Sequence, residues 1–285
     1  PVSRVPAIHA AAAGLGSRDV RPGDFVAAVE EMARGGRRTF VLGIRHELAL
    51  PPTEDPDVRP RGAFSMRGHS VGGFGSVTTN RVIATILGDL FKLHVQAYPL
   101  YGSEKKGLPT TYFLTVAEER IRTHSELARV DFVPLNDVNA FHLGNPLAGI
   151  AAGGTVFIQS SDTDPAAIWK RIPDEAQAII RERGLRVLAL DTQKIARETT
   201  SRPELQVRMQ GIVLLGIFLR ATPFLSRLPY TDDEIDRSVE RSMRKFFGKR
   251  GEAVIQENLR AARRGFSEVF EVPVPARAHE VAAHG

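Results

Sequence analysis

The sequence predicts an α/β fold: a mostly parallel sheet with helices on both faces and a helical C-terminal extension. Three observations carry it. From residue 62 onward, strand-like apolar runs alternate with helical patterns, which is how a parallel sheet with crossover helices reads. A glycine-rich segment, Gly68–Ser76, separates the first of these strands from the first helix. Residues 231–270 carry the spacing of an amphipathic helical tail.

Before residue 62 the pattern is different. A turn at Gly14–Asp19 leads through Pro22 into a helical stretch over 25–32, where Phe25, Val26, Val29 and Met32 share one face. Arg37–Ile44 reads as a buried strand. Ala49–Pro60 then carries Pro51, Pro52, Pro56 and Pro60, a density that forbids helix and marks a linker. The expected divisions are 1–48, a linker over 49–61, an α/β domain over 62–230, and a helical extension with its tail over 231–285.

Within the α/β part, Ala63–Arg67 is the first strand and residues 77–90 the first helix, with Val82, Ile83, Ile86, Leu87 and Leu90 on its apolar side. Strands follow over 94–98, 111–116, 129–135, 155–160 and 186–190, with a loop at 99–110 and a helix over 174–183. A long apolar helix covers 205–219. Gly211 and Gly216 inside it each cost ~1 kcal/mol relative to Ala, which implies close helix packing, including packing against another domain. Thr231 and Glu234 have the spacing of a capping box. Leu259, Ala262 and Phe266 make an apolar stripe, and Pro275–Gly285 reads as a disordered end.

Composition bounds the chemistry. The 285 residues are 42% apolar and 25% charged, enough for one large domain or two modest ones. An opening at Pro1 rather than Met is expected of a processed, truncated or internal piece. No stretch approaches the ~20 apolar residues that span a bilayer, and no signal-peptide order is present, so a cytoplasmic protein without a membrane segment is expected. The absence of cysteine excludes thiolate nucleophiles and iron–sulfur ligation by this chain. No zinc-type histidine spacing is present either. The net charge of +5 suits a polyanionic ligand as well as a basic surface or an assembly interface. No motif supports nucleic acid as a partner.

Two loops concentrate the remaining signal. In Gly68-x-x-x-Gly72-Gly73-x-Gly75-Ser76, glycines permit positive φ and close ligand approach, and the helix that follows offers unpaired N–H groups to an anion such as phosphate. The spacing is neither the dinucleotide fingerprint nor a Walker A loop, and taken alone the loop is weak evidence, with a tight turn packed on a neighbour as the competing reading. The second loop, Tyr98–Tyr112, combines Tyr101, Gly102, Glu104, Lys105, Lys106 and Gly107. Its lysines suit phosphates as compact charges, and a solvated turn is the competing reading. His69 reads as a loop histidine filling a structural hydrogen-bond slot rather than as a general acid, His142 likewise, and Trp169 as packing.

Together the two loops resemble the gamma domain of 2-oxoacid:ferredoxin (acceptor) oxidoreductases. In that family a strand enters a Gly-Gly-x-Gly turn and helix, followed some thirty positions later by a Tyr/Phe-Gly-x-Glu-basic-basic-Gly segment; the matching segments are Gly68–Ser76 and Tyr101–Gly107. Asn145-Pro146-Leu147, Gly153–Ile158 and Gly211–Gly216 match further elements, so the resemblance runs over roughly 62–270. Residues 1–48 resemble the end of the alpha part that precedes gamma in the fused enzymes. Gly73-Phe74-Gly75 departs from the Gly-Gln-Gly of stand-alone gamma subunits and is closer to the fused branch.

The resemblance implies a Rossmann-like domain that is inactive alone. It implies a complex that converts a 2-oxoacid to acyl-CoA and passes electrons to ferredoxin or to an NAD-reducing subunit. Thiamine diphosphate with Mg2+ and [4Fe-4S] clusters would sit in partner components, an alpha/beta thiamine-binding part and a ferredoxin-like part, in a dimer of the whole assembly. Coenzyme A would be the ligand of this chain. The residues implied are Gly68, Ser70, Gly72, Gly73, Gly75, Ser76, Tyr101, Lys105, Lys106 and Asn145, with none as a proton-transfer base. Two other classes compete. One is an assembly subunit without ligand contact. The other is an autonomous nucleotide-binding enzyme, which expects a ribose-binding acid ending the next strand, where His94–Tyr98 has none.

Overall fold

The chain divides after Asp57 into two compact units. The computed structural model describes residues 57, 59–72, 74–101, 109–122, 127–137, 139–227 and 231–276 (for Tyr101 and Asp232 the backbone only). The elements expected over 1–48, nearly all of the linker, Gly73, Lys105, Lys106 and the end from residue 277 lie outside the described residues.

The elements run β1 (Phe64–Val71), α1 (Ser76–Asp89), β2 (His94–Tyr101), β3 (Pro109–Ala117), β4 (Val130–Leu135), β5 (Ile150–Gln159), α2 (Pro165–Arg171), α3 (Asp174–Glu182), β6 (Arg186–Leu190), α4 (Thr192–Thr199), α5 (Pro203–Ala221), α6 (Phe224–Arg227), α7 (Asp232–Phe247), α8 (Glu252–Glu268) and β7 (Phe270–Val272). The strands form one sheet of seven in the order β2-β3-β1-β4-β5-β6-β7. β1, β4, β5 and β6 are mutually parallel and β2 shares their direction; β3 and β7 run against it. The sheet is thus mostly parallel, as expected, with two reversed strands that periodicity alone does not distinguish.

Side chains alternate across the sheet with the two-residue period of a strand. Tyr112, Phe132, Phe157 and Leu188 enter one core with Val213, Leu214 and Phe218 of α5. Their neighbours Phe113, Val133, Val156 and Val187 enter the other with Trp169 and Ile180. Helices therefore cover both faces. The expected extension is built into the first core, where Ile235, Val239 and Met243 of α7 and Ile255 and Leu259 of α8 are buried.

Helix α5 is apolar on every side because it is covered on every side: Gly211 through Leu219 are buried. Its glycines allow backbone contact within this unit. A Cβ on Gly216 would stand 1.8 Å from the carbonyl oxygen of Ala262 in α8, and one on Gly211 3.0 Å from the carbonyl carbon of Gly75. Helix starts are capped locally: Asp164 accepts from Ala166 N ahead of α2, Asp191 from Lys194 N ahead of α4, and Thr231 with Glu234 forms the full capping box of α7.

The first strand is longer than the apolar pattern indicates. Gly68, His69, Ser70 and Val71 continue it, paired with Tyr112, Thr111, Thr110 and Pro109. Polar and glycine residues read as loop because their ladder partner is an antiparallel strand distant in sequence. The glycine turn begins only at Gly72, where Phe74 N donates to Val71 O.

Candidate functional site

The carboxyl ends of β1, β2, β4, β5 and β6 lie along one edge of the sheet. At this edge Val71 pairs with Pro109, and Tyr101 with Thr110. The glycine turn after β1 and the 102–108 connection between β2 and β3 therefore leave from adjacent strand ends. β1 feeds α1 on the α5 face, whereas β5 feeds α2 and α3 on the opposite face. In open α/β sheets the crevice where crossovers change face, outside the carboxyl ends, is the usual ligand position.

On the α5 face of this edge, a cavity of about 460 Å³ is lined by Gly72, Gly75, Ser76, Val77, Thr78 and Thr110 together with Arg208, Met209, Arg250 and Asn258. That volume suits a small organic ligand. Gly75 is the N-cap of α1 at φ 80°, with no side-chain cap and no acidic residue in the first turn. The first N–H groups of α1 thus keep their partial positive charge.

On the opposite face a second cavity, about 330 Å³, is lined by His69, Ser70, Thr110, Asp137 and Asn145. The carbonyl of His69 accepts from Asn136 N and Asp137 N, joining the ends of β1 and β4. Burial, reinforced by the nearby Arg67 charge and opposed by Asp137, pulls the His69 imidazole down to about 4, so the ring is neutral at neutral pH. Among the described residues its Nε2 has no hydrogen-bond partner, which corrects the expectation of a satisfied structural slot. Arg67 donates to the carbonyls of Pro146, at 3.0 Å, and of Ala148, and burial lowers its pKa.

Gly68 sits within β1, and a Cβ there would fall 1.9 Å from the Tyr112 ring. Ser70 is 1% exposed and its Oγ has no partner among the described residues. Gly72, Gly75 and Ser76 line the first cavity. Tyr101 ends β2, with its side chain outside the described residues. Asn145 is exposed beside the second cavity, where its Oδ1 accepts from Leu147 N. Trp169 packs at 6% exposure with the Arg181 guanidinium over its ring. Sequence reasoning missed Arg208, Arg250, Asn258 and Asp137, because no local motif marks them and only tertiary packing brings them to this edge.

Among the described residues, no group of His, Asp and Glu is placed to hold a metal ion, and no helix is long and apolar enough to cross a membrane. Lacking cysteine as well, the described chain does not fit an iron–sulfur cluster.

A family model described as pyruvate ferredoxin/flavodoxin oxidoreductase matches residues 65–268. The pyruvate-flavodoxin oxidoreductase of Trichormus variabilis is 26% identical over 264 residues, 91% of this chain and 21% of that protein. The pyruvate:ferredoxin oxidoreductase of Moorella thermoacetica is 25% identical over 267 residues, 92% of this chain and 22% of that protein. The chain thus spans about a fifth of the length of these curated relatives. Among solved structures, the pyruvate oxidoreductase subunit PORC of Thermotoga maritima has a similar fold, with TM-score 0.53 and 21% identity over 74% of this chain and 99% of that one. So does a 2-oxoglutarate:ferredoxin oxidoreductase of Magnetococcus marinus, solved with 2-oxoglutarate, coenzyme A and succinyl-CoA bound, with TM-score 0.54 and 18% identity over 75% of this chain and 32% of that one.

Proposed function

Because the chain belongs to the pyruvate ferredoxin/flavodoxin oxidoreductase family, we propose that it is a component of a 2-oxoacid:acceptor oxidoreductase and contributes coenzyme A binding and assembly. The whole enzyme would oxidatively decarboxylate a 2-oxoacid to acyl-CoA and reduce ferredoxin or a related acceptor in the cytoplasm. Thiamine diphosphate and iron–sulfur centres, held by partner components, would supply the carbon–carbon cleavage and the electron transfer. Residues 1–48 belong in this reading to the end of the preceding alpha part, 49–61 to the linker, 62–230 to the gamma-type domain and 231–285 to its extension.

One observation carries the coenzyme A assignment: the glycine turn with its uncompensated helix start and the two strand ends that carry the lysine loop meet at one sheet edge. The turn residues Gly72, Gly73, Gly75 and Ser76 would present backbone N–H groups to the ligand's phosphates, and Lys105 and Lys106 their charges. Ser70, Tyr101 and Asn145 would contribute polar or stacking contacts. Gly68 serves the site indirectly, by admitting the Tyr112 ring beneath β1. That tight packing also favours a second reading for this glycine, as a purely architectural residue of an assembly subunit.

Replacing Lys105 and Lys106 by Ala in the assembled enzyme is expected to raise KM for coenzyme A several-fold while leaving KM for the 2-oxoacid unchanged. An unaltered KM for coenzyme A defeats the assignment.

A further inference from the structure

We propose that the face of β2, β3 and β1 turned away from α5, beside the 136–149 connection, is a docking surface for another protein component of the same enzyme. That component seats apolar side chains on Leu100 and Leu143 and reaches a lysine or arginine to Asp137. The strand register defines the face. Directly opposed residues of antiparallel strands point to the same side, so Leu100, Thr111 and His69 form one row across β2, β3 and β1. The next row is Tyr98, Phe113 and Arg67, in which the Tyr98 and Phe113 rings stack at 5.0 Å. Both rows lie away from α5, since Phe113 belongs to the core of Trp169 and Ile180. The helix that packs on β2 and β3 is α1, on the α5 face. Parallel sheets with crossover helices are ordinarily covered on both faces, yet Leu100 is left 45% exposed.

Beside these rows, the connection between β4 and β5 is fixed by polar contacts. The His69 carbonyl accepts from Asn136 N and Asp137 N, Asp137 Oδ1 accepts from Asn139 N at 2.9 Å, and Arg67 donates to the carbonyls of Pro146 and Ala148. Leu143 on this fixed segment is nonetheless 59% exposed, more than any other large apolar side chain among the described residues. A cavity of about 330 Å³ is lined by Leu143 together with Thr111, His69 and Asp137. An apolar residue held out on a rigid loop beside a small polar pocket is the anatomy of an interface anchor.

The pocket specifies the charge of the partner. Asp137 is 7% exposed, and no cation pairs with it among the described residues. Arg67 is committed to carbonyls, and Arg171, which shares a neighbouring cavity with Asp137, pairs with Asp162 at 3.0 Å. His69 also lines the pocket, and its Nε2 has no partner among the described residues. A nearly buried carboxylate is best matched by a cationic donor, with the apolar rim excluding water around the pair. A second copy of this chain fits poorly: a two-fold contact sets the same patch against itself, and this patch offers no uncommitted cation.

This surface presupposes that the chain is a component of a larger enzyme, but not its coenzyme A contacts. The chain has no cysteine, so Leu143→Cys gives it a single thiol, at an exposed position that leaves the core intact. Alkylation of that thiol by N-ethylmaleimide is followed on its own peptide, in the assembled enzyme and after unfolding in urea. The rate in the assembled enzyme is expected to be at least about tenfold the lower. Asp137→Asn keeps the Oδ1 acceptor for Asn139 and removes the charge, and is expected to raise the protected rate toward the unfolded one. Equal rates in the assembled and unfolded enzyme overturn the surface, and protection unchanged by Asp137→Asn overturns the cationic contact. Photocrosslinking from p-benzoylphenylalanine in place of Leu143 identifies the occupant. A joined peptide from another component supports the proposal, and one from this chain or from a second copy of it overturns it. A freely reactive thiol in an enzyme that still turns over defeats the surface alone, whereas a chain that purifies with no other component defeats the component reading itself.

Discussion

A Cβ built on Gly75 would stand 2.8 Å from the carbonyl oxygen of Arg208, so the N-cap of α1 and the second turn of α5 touch through backbone alone. The contact joins the start of the candidate site to the most buried helix of the unit. It explains how the start of α1 is held in place at the sheet edge.

Gly75→Ala tests that contact. The residue has φ 80°, where a side chain is strained, and no room for one. The expected cost is about 2 kcal/mol, or a fall of about 4–8 °C in the thermal midpoint. A midpoint equal to that of the native protein would show that α5 does not press on the turn.

Tyr112 and Gly68 form a backbone-to-ring contact. The Tyr112 hydroxyl is buried without a partner among the described residues, and burial pushes its pKa up. Tyr112→Phe is therefore expected to be neutral or to stabilise by about 1 kcal/mol, since it removes an unsatisfied donor. Gly68→Ala overfills the site and should cost about 1–3 kcal/mol. In a Tyr112→Leu background the same change should cost less, and additive effects in denaturant unfolding would argue against the contact.

His69 gives a pH signature. Its folded pKa of about 4 lies below the value near 6.5 of an unfolded chain, because burial and then Arg67 disfavour the imidazolium. As pH falls below about 6.5 the unfolded chain takes up this proton first. The stability tied to neutral His69 is thus complete above that pH and is lost as pH falls toward 4. His69→Gln should flatten the dependence of unfolding free energy on pH between these limits by up to about one proton. An identical slope in the variant would mean that another group governs the window.

Thr231→Ala removes the side-chain acceptor of the α7 capping box and is expected to cost about 1 kcal/mol, read as a lower unfolding midpoint. No change would mean that the core contacts of Ile235 and Val239 hold the helix start unaided.

Much of this architecture is legible in the sequence, because each element obeys its own local rule. Arg186–Leu190 and Val130–Leu135 are short apolar strands, and Thr231 with Glu234 three residues on marks the start of α7. Gly211 and Gly216 indicate close packing, and both meet neighbouring backbone. What escaped depends on distant pairing. The strand residues Gly68–Val71 look like loop until Pro109–Tyr112 is laid beside them. Helix α4 is mostly polar, with only Ile195 and Ala196 as buried apolar residues, so periodicity passes over it although Asp191 caps it. The site divides in the same way. Glycines at a strand–helix turn are visible locally, whereas Arg208, Arg250 and Asn258 reach the turn only through the packing of α5 and α7 on α1 and of α8 on α5.

The most direct measurement is a structure of the assembled enzyme with coenzyme A bound. The phosphate groups are expected over the first turn of α1, within hydrogen-bond distance of the Gly72–Ser76 segment and of Lys105 or Lys106. Coenzyme A bound away from this sheet edge, with the turn and the lysines covered by another component, would contradict the account.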